Sequence, residues 1–148
     1  MTFLEFLIKA KIYTYASGGE GGEKILDDGS KEFVFQKGNY VYRDRYFGSK
    51  AFIGEEIVFE FNKQIWGMNY YGKIFTDNLS TKEIYSFLKK AMQLVTEKRP
   101  FRGPDHFTEG NFIYTDKSVG DASWFEGVEE IFYNDVKVYE LKYHGGNL

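Results

Sequence analysis

The sequence repeats itself, and that constrains the fold more than any other feature. The stretch NYVYRDRYFGSKAFIGEEIVFEFNKQIWGMNYYG (residues 39–72) returns as NFIYTDKSVGDASWFEGVEEIFYNDVKVYELKYHG (residues 111–145). Asn39, Tyr42, Asp44 and Gly48 match Asn111, Tyr114, Asp116 and Gly120 at one constant offset. After a one-residue slip, Phe52, Gly54, Tyr70 and Gly72 match Phe125, Gly127, Tyr143 and Gly145. Self-similarity of this kind means one supersecondary unit used twice. The match extends upstream: FQKG (35–38) aligns with FTEG (107–110), and EFLIKA (5–10) resembles SFLKKA (86–91). The first copy carries extra residues between these pieces, at the glycine-rich run SGGEGGE (17–23).

Each unit reads as a helix followed by three or four strands. Over residues 2–13, Phe3, Phe6, Leu7 and Ala10 recur at helical spacing, and over 80–95 Ile84, Phe87, Leu88, Ala91 and Leu94 do the same. Ser80 with Glu83 forms a capping-box signature, and Arg99-Pro100 ends the second helical region. Residues 40–47 and 56–61 alternate as strands. Asn62-Lys63 and Asn134-Asp135 are the expected hairpin turns. The expected fold is α+β: one domain, 1–148, made of two tandem helix-plus-antiparallel-strands repeats (1–75 and 79–146). A pseudo-two-fold axis is expected to relate them, with the repeats sharing or packing curved antiparallel sheet.

Composition narrows the function class. Fifteen Phe and twelve Tyr, in a chain that is 20% aromatic, need a core or a pocket to occupy. A net charge of −3 argues against nucleic-acid binding by this chain alone. The absence of cysteine removes disulfides and thiolate metal sites, and fits a reducing compartment. The first residues do not read as a signal peptide, and no apolar run approaches a membrane span. A cytoplasmic protein without a metal, a cofactor or a membrane contact is the expectation.

The repeat also supplies an internal control. Matched positions hold the common fold, whereas unmatched ones are free for function. Trp66, Met68 and Tyr70 share a strand face with matching places at Tyr139, Leu141 and Tyr143, a pattern that favours core. Arg43 and Arg45 have no arginine counterparts and lie opposite Tyr42 and Asp44. Arginine there suits an anion, or a salt bridge to Glu56 or Glu60. Asn69 and Tyr71 stand where the second copy has Lys142 and His144, and PFRGP (100–104) holds Arg102 between turn residues. The candidate ligand site is therefore Arg43, Trp66, Asn69, Tyr70, Tyr71 and Arg102, with Arg43 and Arg102 as anion anchors and Asn69 as the orienter. Catalytic motifs are thin. His106 and His144 show no metal-ligand spacing, and an enzyme would need Asp44, Glu56 and His144 to converge. Glu55-Glu56 and Glu129-Glu130 recur in both copies, which suggests a structural role. The glycine-rich run lacks a phosphate loop's ending and reads as a mobile loop.

The strings YRDRYFG (42–48), IWGMNYYGK (65–73), PFRGP (100–104) and LKYHGG (141–146), with TYASGGEGGE (14–23), resemble an uncharacterised bacterial and archaeal domain, domain of unknown function family 5680. That domain occurs alone or behind an Xre-type helix-turn-helix region in transcriptional regulators. Because Met1 is followed directly by the first expected helix, no such region is expected in this chain. The resemblance implies a sensing or interaction module and transfers no catalytic residue. The expected function is a small-molecule-binding, effector-sensing domain with an aromatic-lined pocket, its ligand an anion. A protein-interaction or oligomerisation module, such as a homodimer, comes second, and an enzyme third.

Overall fold

A computed structural model describes residues 1–14 and 23–148. Most of the glycine-rich run read as a mobile loop lies outside the described residues. The elements run α1 (Phe3–Tyr13), β1 (Lys24–Ile25), β2 (Lys31–Lys37), β3 (Tyr40–Gly48), β4 (Ala51–Glu60), β5 (Lys63–Ile74), α2 (Thr81–Met92), β6 (His106–Glu109), β7 (Phe112–Asp121), β8 (Trp124–Tyr133) and β9 (Val136–Asn147). The architecture is mixed helix and antiparallel sheet, mostly β. One nine-stranded sheet runs β1-β2-β3-β4-β5-β9-β8-β7-β6. Its edges are the two shortest strands, two and four residues long, which offer little unpaired backbone to a neighbour.

Both helices are set by their caps. Thr2 and Ser80 each accept a backbone N–H from the glutamate three residues on, and that glutamate reaches back to the cap's own N–H. The helices cover one face of the sheet. Phe6 of α1 packs on Phe35 and Tyr40, and Phe87 of α2 on Phe107 and Phe112. At the middle of the sheet β5 pairs with β9, with Tyr70 directly opposite Tyr143. Tyr42, Val58, Trp66, Tyr70, Tyr114, Phe125, Tyr139 and Tyr143 fill the covered face. The opposite face carries Phe47, Ile53, Tyr71 and Val119, all exposed. No helix among the described residues is long and apolar enough to cross a membrane.

The second hairpin turn falls where the sequence places it. Asn134 and Asp135 have φ of 49° and 63° between the paired Tyr133 and Val136. The first lies one residue earlier than expected. Phe61 and Asn62 occupy the positive-φ positions (48° and 65°), and Lys63 already pairs with Glu60. A two-residue hairpin loop of this kind requires positive φ at both central residues, and Phe is an unfavoured choice there. Register wins over residue preference because the strands on either side bury Val58 and Trp66.

Candidate functional site

The covered face holds a polar layer inside an aromatic core. Asp44 on β3 and Glu56 on β4 are direct cross-strand partners, as are Asp116 on β7 and Glu129 on β8. All four are essentially buried. Strand alternation puts them there: Tyr42, Asp44 and Tyr46 share one face of β3, and Arg43 and Arg45 take the other. Opposed like charges in a low dielectric repel strongly, so the layer stands only through its partners.

Tyrosines supply the first set of partners. Tyr42 donates to Glu56 and Tyr70 to Asp44. In the other half Tyr114 and Tyr139 donate to Glu129, at 2.5 and 2.8 Å, and Tyr143 to Asp116 at 2.8 Å. The Tyr70 and Tyr143 rings reach across only because glycine stands opposite. A Cβ on Gly54 would lie 2.6 Å from the Tyr70 hydroxyl, and one on Gly127 2.2 Å from the Tyr143 ring.

Cations supply the second set, and here the halves differ. Lys11 of α1, buried to 1% exposure, sits 2.7 Å from Glu56 and donates to the Phe101 carbonyl. Arg102, in the segment between α2 and β6, forks onto Glu129 at 3.0 and 3.2 Å. Arg99 approaches Asp116 to 3.6 Å. Among the described residues no cation comes within ion-pair distance of Asp44. Burial first, and then the neighbouring Glu56, pushes the Asp44 carboxyl up to about 8, against the Tyr70 hydrogen bond and the more distant Arg102 and Lys11. Burial and Glu129 push Asp116 up to about 7. Burial pulls Lys11 below the usual lysine range, with Glu56 opposing.

Asp44 forms part of the floor of a cavity of about 300 Å³ between the sheet and α2. Phe33, Tyr46, Phe52, Tyr70 and Tyr85 give it aromatic walls, Leu88 and Met92 close it from the helix, and Arg102 borders it. Lys31, Lys89, Gly48, Ser49, Thr81 and Glu23 also line it. Tyr85 donates to the Ser49 carbonyl, and burial pushes its hydroxyl up to about 12. The cavity thus joins apolar surface to one desolvated carboxyl, a combination suited to orienting a small ligand.

The six residues singled out in the sequence divide between the two faces. Tyr70 and Arg102 meet at the cavity, with the guanidinium 5.7 Å from the Tyr70 ring. Trp66 is fully buried nearby and donates to the Ala122 carbonyl at 2.8 Å. Asn69 and Tyr71 lie on the uncovered face, where they border a shallow depression with Arg45, Ile53, Lys142 and His144. Arg43 packs its guanidinium over Phe59, 5.4 Å from the ring centroid. Arg43 and Arg102 therefore do not form one anion site, because consecutive strand residues alternate between faces. Asp44 and Glu56 do converge, but His144 is on the other side of the sheet.

Sequence reasoning passed over Lys11 and Arg99. Lys11 falls one helical turn after Leu7, on the apolar stripe of α1, and a lysine there signals a buried carboxylate partner. Comparison with curated proteins and with solved structures gives no match. A family model described as "Domain of unknown function (DUF5680)" matches residues 44–148, a span that includes all four buried carboxyls but neither Lys11 nor Tyr42. With most of its length covered by that model, the chain belongs to the DUF5680 family.

Proposed function

We propose that this chain is a small-molecule-binding, effector-sensing domain and that its ligand occupies the cavity above Asp44. One observation carries the reading: a buried carboxyl without a counter-ion among the described residues opens into an aromatic-walled space of about 300 Å³. A chain needing only a stable core gains nothing from a desolvated acid there, since an apolar residue of similar size is usually as stable or more so. Tyr46, Phe52, Tyr70 and Tyr85 offer the flat surfaces that hold a small organic body.

The proposal extends to architecture and context. The two halves are copies of one unit, 1–75 and 79–146, related by a pseudo-two-fold axis between Tyr70 and Tyr143. The paired register there, the matched tyrosine–carboxylate bonds and the matched aromatic triads on Phe6 and Phe87 support this. The domain works in the cytoplasm of bacteria or archaea, as a sensing unit of the sort that stands alone or follows an Xre-type helix-turn-helix region.

A thermal-shift screen against a broad metabolite panel tests the reading. At least one compound should raise the melting temperature of the wild type and not that of Ser49→Trp, which places bulk at the cavity lining. A panel without any such compound counts against it. A second reading, pairing with another copy of the chain, draws on the exposed Phe47, Ile53, Tyr71 and Val119 of the uncovered face. A concentration-dependent sedimentation coefficient that Ile53→Lys abolishes would favour it.

A further inference from the structure

The polar layer has a charge imbalance confined to one half. Of its four buried carboxyls, three have a cation within 4 Å among the described residues: Glu56 has Lys11, Glu129 has Arg102 and Asp116 has Arg99. Asp44 has none. The half built on Asp116 and Glu129 balances two acids with two guanidiniums. The half built on Asp44 and Glu56 sets two acids against one ammonium. Residues 15–22 cannot make up the difference, because YASGGEGG contains neither lysine nor arginine.

We infer that the cavity takes a small organic cation, an amine or guanidine on an aromatic or apolar body, with its charged head on the Asp44 carboxylate. The inference rests on the ligand-binding reading above and gives it a chemical class. On the Asp116 side the protein supplies the cation from its own chain; on the Asp44 side the space is a cavity. One Asp44 oxygen accepts from Tyr70, and no hydrogen bond from the described residues reaches the other. Asp44 is 3% exposed and lines the cavity, so its carboxyl is largely desolvated and borders that space. The Phe52 ring borders the same space and adds aromatic surface that attracts an ammonium, while the Tyr46 and Tyr70 rings already carry Lys31 and Arg102 at 5.8 and 5.7 Å. The sequence pointed to an anion through Arg43 and Arg102, but Arg43 is on the other face and Arg102 is forked onto Glu129.

Without a ligand, a proton does the cation's work. Asp44 faces Glu56 from β4, the Tyr70 hydroxyl from β5, Tyr46 from its own strand, Lys11 from α1 and Arg102 from the 93–105 segment. Lys31, Lys89 and Glu23 border the same cavity, and Lys31 lies 3.8 Å from Glu23. Burial and Glu56 favour the protonated carboxyl near neutral pH. A bound cation reverses that preference, so binding expels one proton from Asp44 to solvent. Affinity then rises with pH until Asp44 is already ionised in the free protein.

The test is isothermal titration calorimetry with phenethylamine and phenethylguanidine, beside the neutral 2-phenylethanol and the anionic 3-phenylpropanoate. Titrations run in buffers of different ionisation enthalpy. The cations should bind at least about tenfold more tightly than the alcohol and release close to one proton. Asp44→Asn, which keeps an acceptor for Tyr70, should erase both the preference and the proton release while the far-ultraviolet spectrum stays native. If the alcohol or the anion binds the wild type as tightly as the amines do, the ligand class is wrong and the cavity remains a binding site. The same conclusion follows if amine binding survives Asp44→Asn with unchanged affinity. If none of the four probes binds and the metabolite screen is also empty, both the class and the binding reading fall.

Discussion

Asp44 and Glu56 are cross-strand partners on the buried face of one sheet, and Glu56 alone of the two has a cation beside it among the described residues. The arrangement recurs with Asp116 and Glu129, where each acid has its own guanidinium. Aromatic packing and tyrosine hydroxyls hold the four acids in place. The difference in counter-ions, rather than in the acids, is what distinguishes the halves.

The first prediction concerns pH. Asp44 and Asp116 are raised on folding, to about 8 and about 7, so the native state holds protons that the unfolded chain releases. Their contribution is fully present below the unfolded carboxylate range and is lost as pH rises through the folded values. Stability should therefore decline from about pH 5 to about pH 8, more steeply in the wild type than in Asp44→Asn. Urea melts across that range measure it. Parallel wild-type and variant curves would contradict it.

Breaking the Arg102–Glu129 fork should be among the costliest single changes. Glu129→Ala removes the carboxylate that the Arg102 guanidinium, 4% exposed, forks onto, and takes the same acceptor from Tyr114 and Tyr139. The expected loss is about 3–5 kcal/mol by chemical denaturation. Arg43→Ala, on the uncovered face, should cost no more than about 0.5 kcal/mol.

The glycine cradles should resist substitution. Gly127→Ala drives a methyl into the Tyr143 ring, and Gly54→Ala drives one to within 2.5 Å of the Arg45 carbonyl oxygen. Each should lose about 1–3 kcal/mol. Gly110→Asn is the control: its φ of +59° suits asparagine, and no atom lies within 4 Å of the new Cβ. Thermal melts of the three variants separate a packing effect from a conformational one.

Removing the cap of α2 is a smaller and more local test. Ser80→Ala deletes the acceptor for the Glu83 amide and should cost about 1 kcal/mol. Hydrogen exchange should then quicken in the first turn of α2 and not in β5.

Much of the fold was legible because it is carried by local signals. Helical spacing fixed α1 and α2, alternation fixed β3 and β4, and Asn134-Asp135 fixed the last hairpin. The Phe61-Asn62 turn was misplaced by one residue because its first member breaks the residue preference of such loops. The site was less legible. Matched residues were read as scaffold and unmatched ones as function, yet Asp44 and Glu56 are both matched. Which acid lacks a cation among the described residues depends on Lys11, Arg99 and Arg102, with Lys11 far in sequence from the other two. Only the packing of α1 and the 93–105 segment against the sheet makes that pairing visible. Arg43, Asn69 and Tyr71 were grouped with Tyr70 and Arg102 although strand alternation already separates them.

The most direct test of the account is a heteronuclear NMR titration of the labelled protein with the best compound from the thermal-shift screen. A ligand in the cavity above Asp44 predicts saturable shifts concentrated at Phe33, Tyr46, Ser49, Phe52, Tyr85 and Leu88, with the uncovered face silent. Shifts concentrated instead at Phe47, Ile53 and Tyr71, and changing with protein concentration, would contradict the cavity and place the working surface on the other side of the sheet.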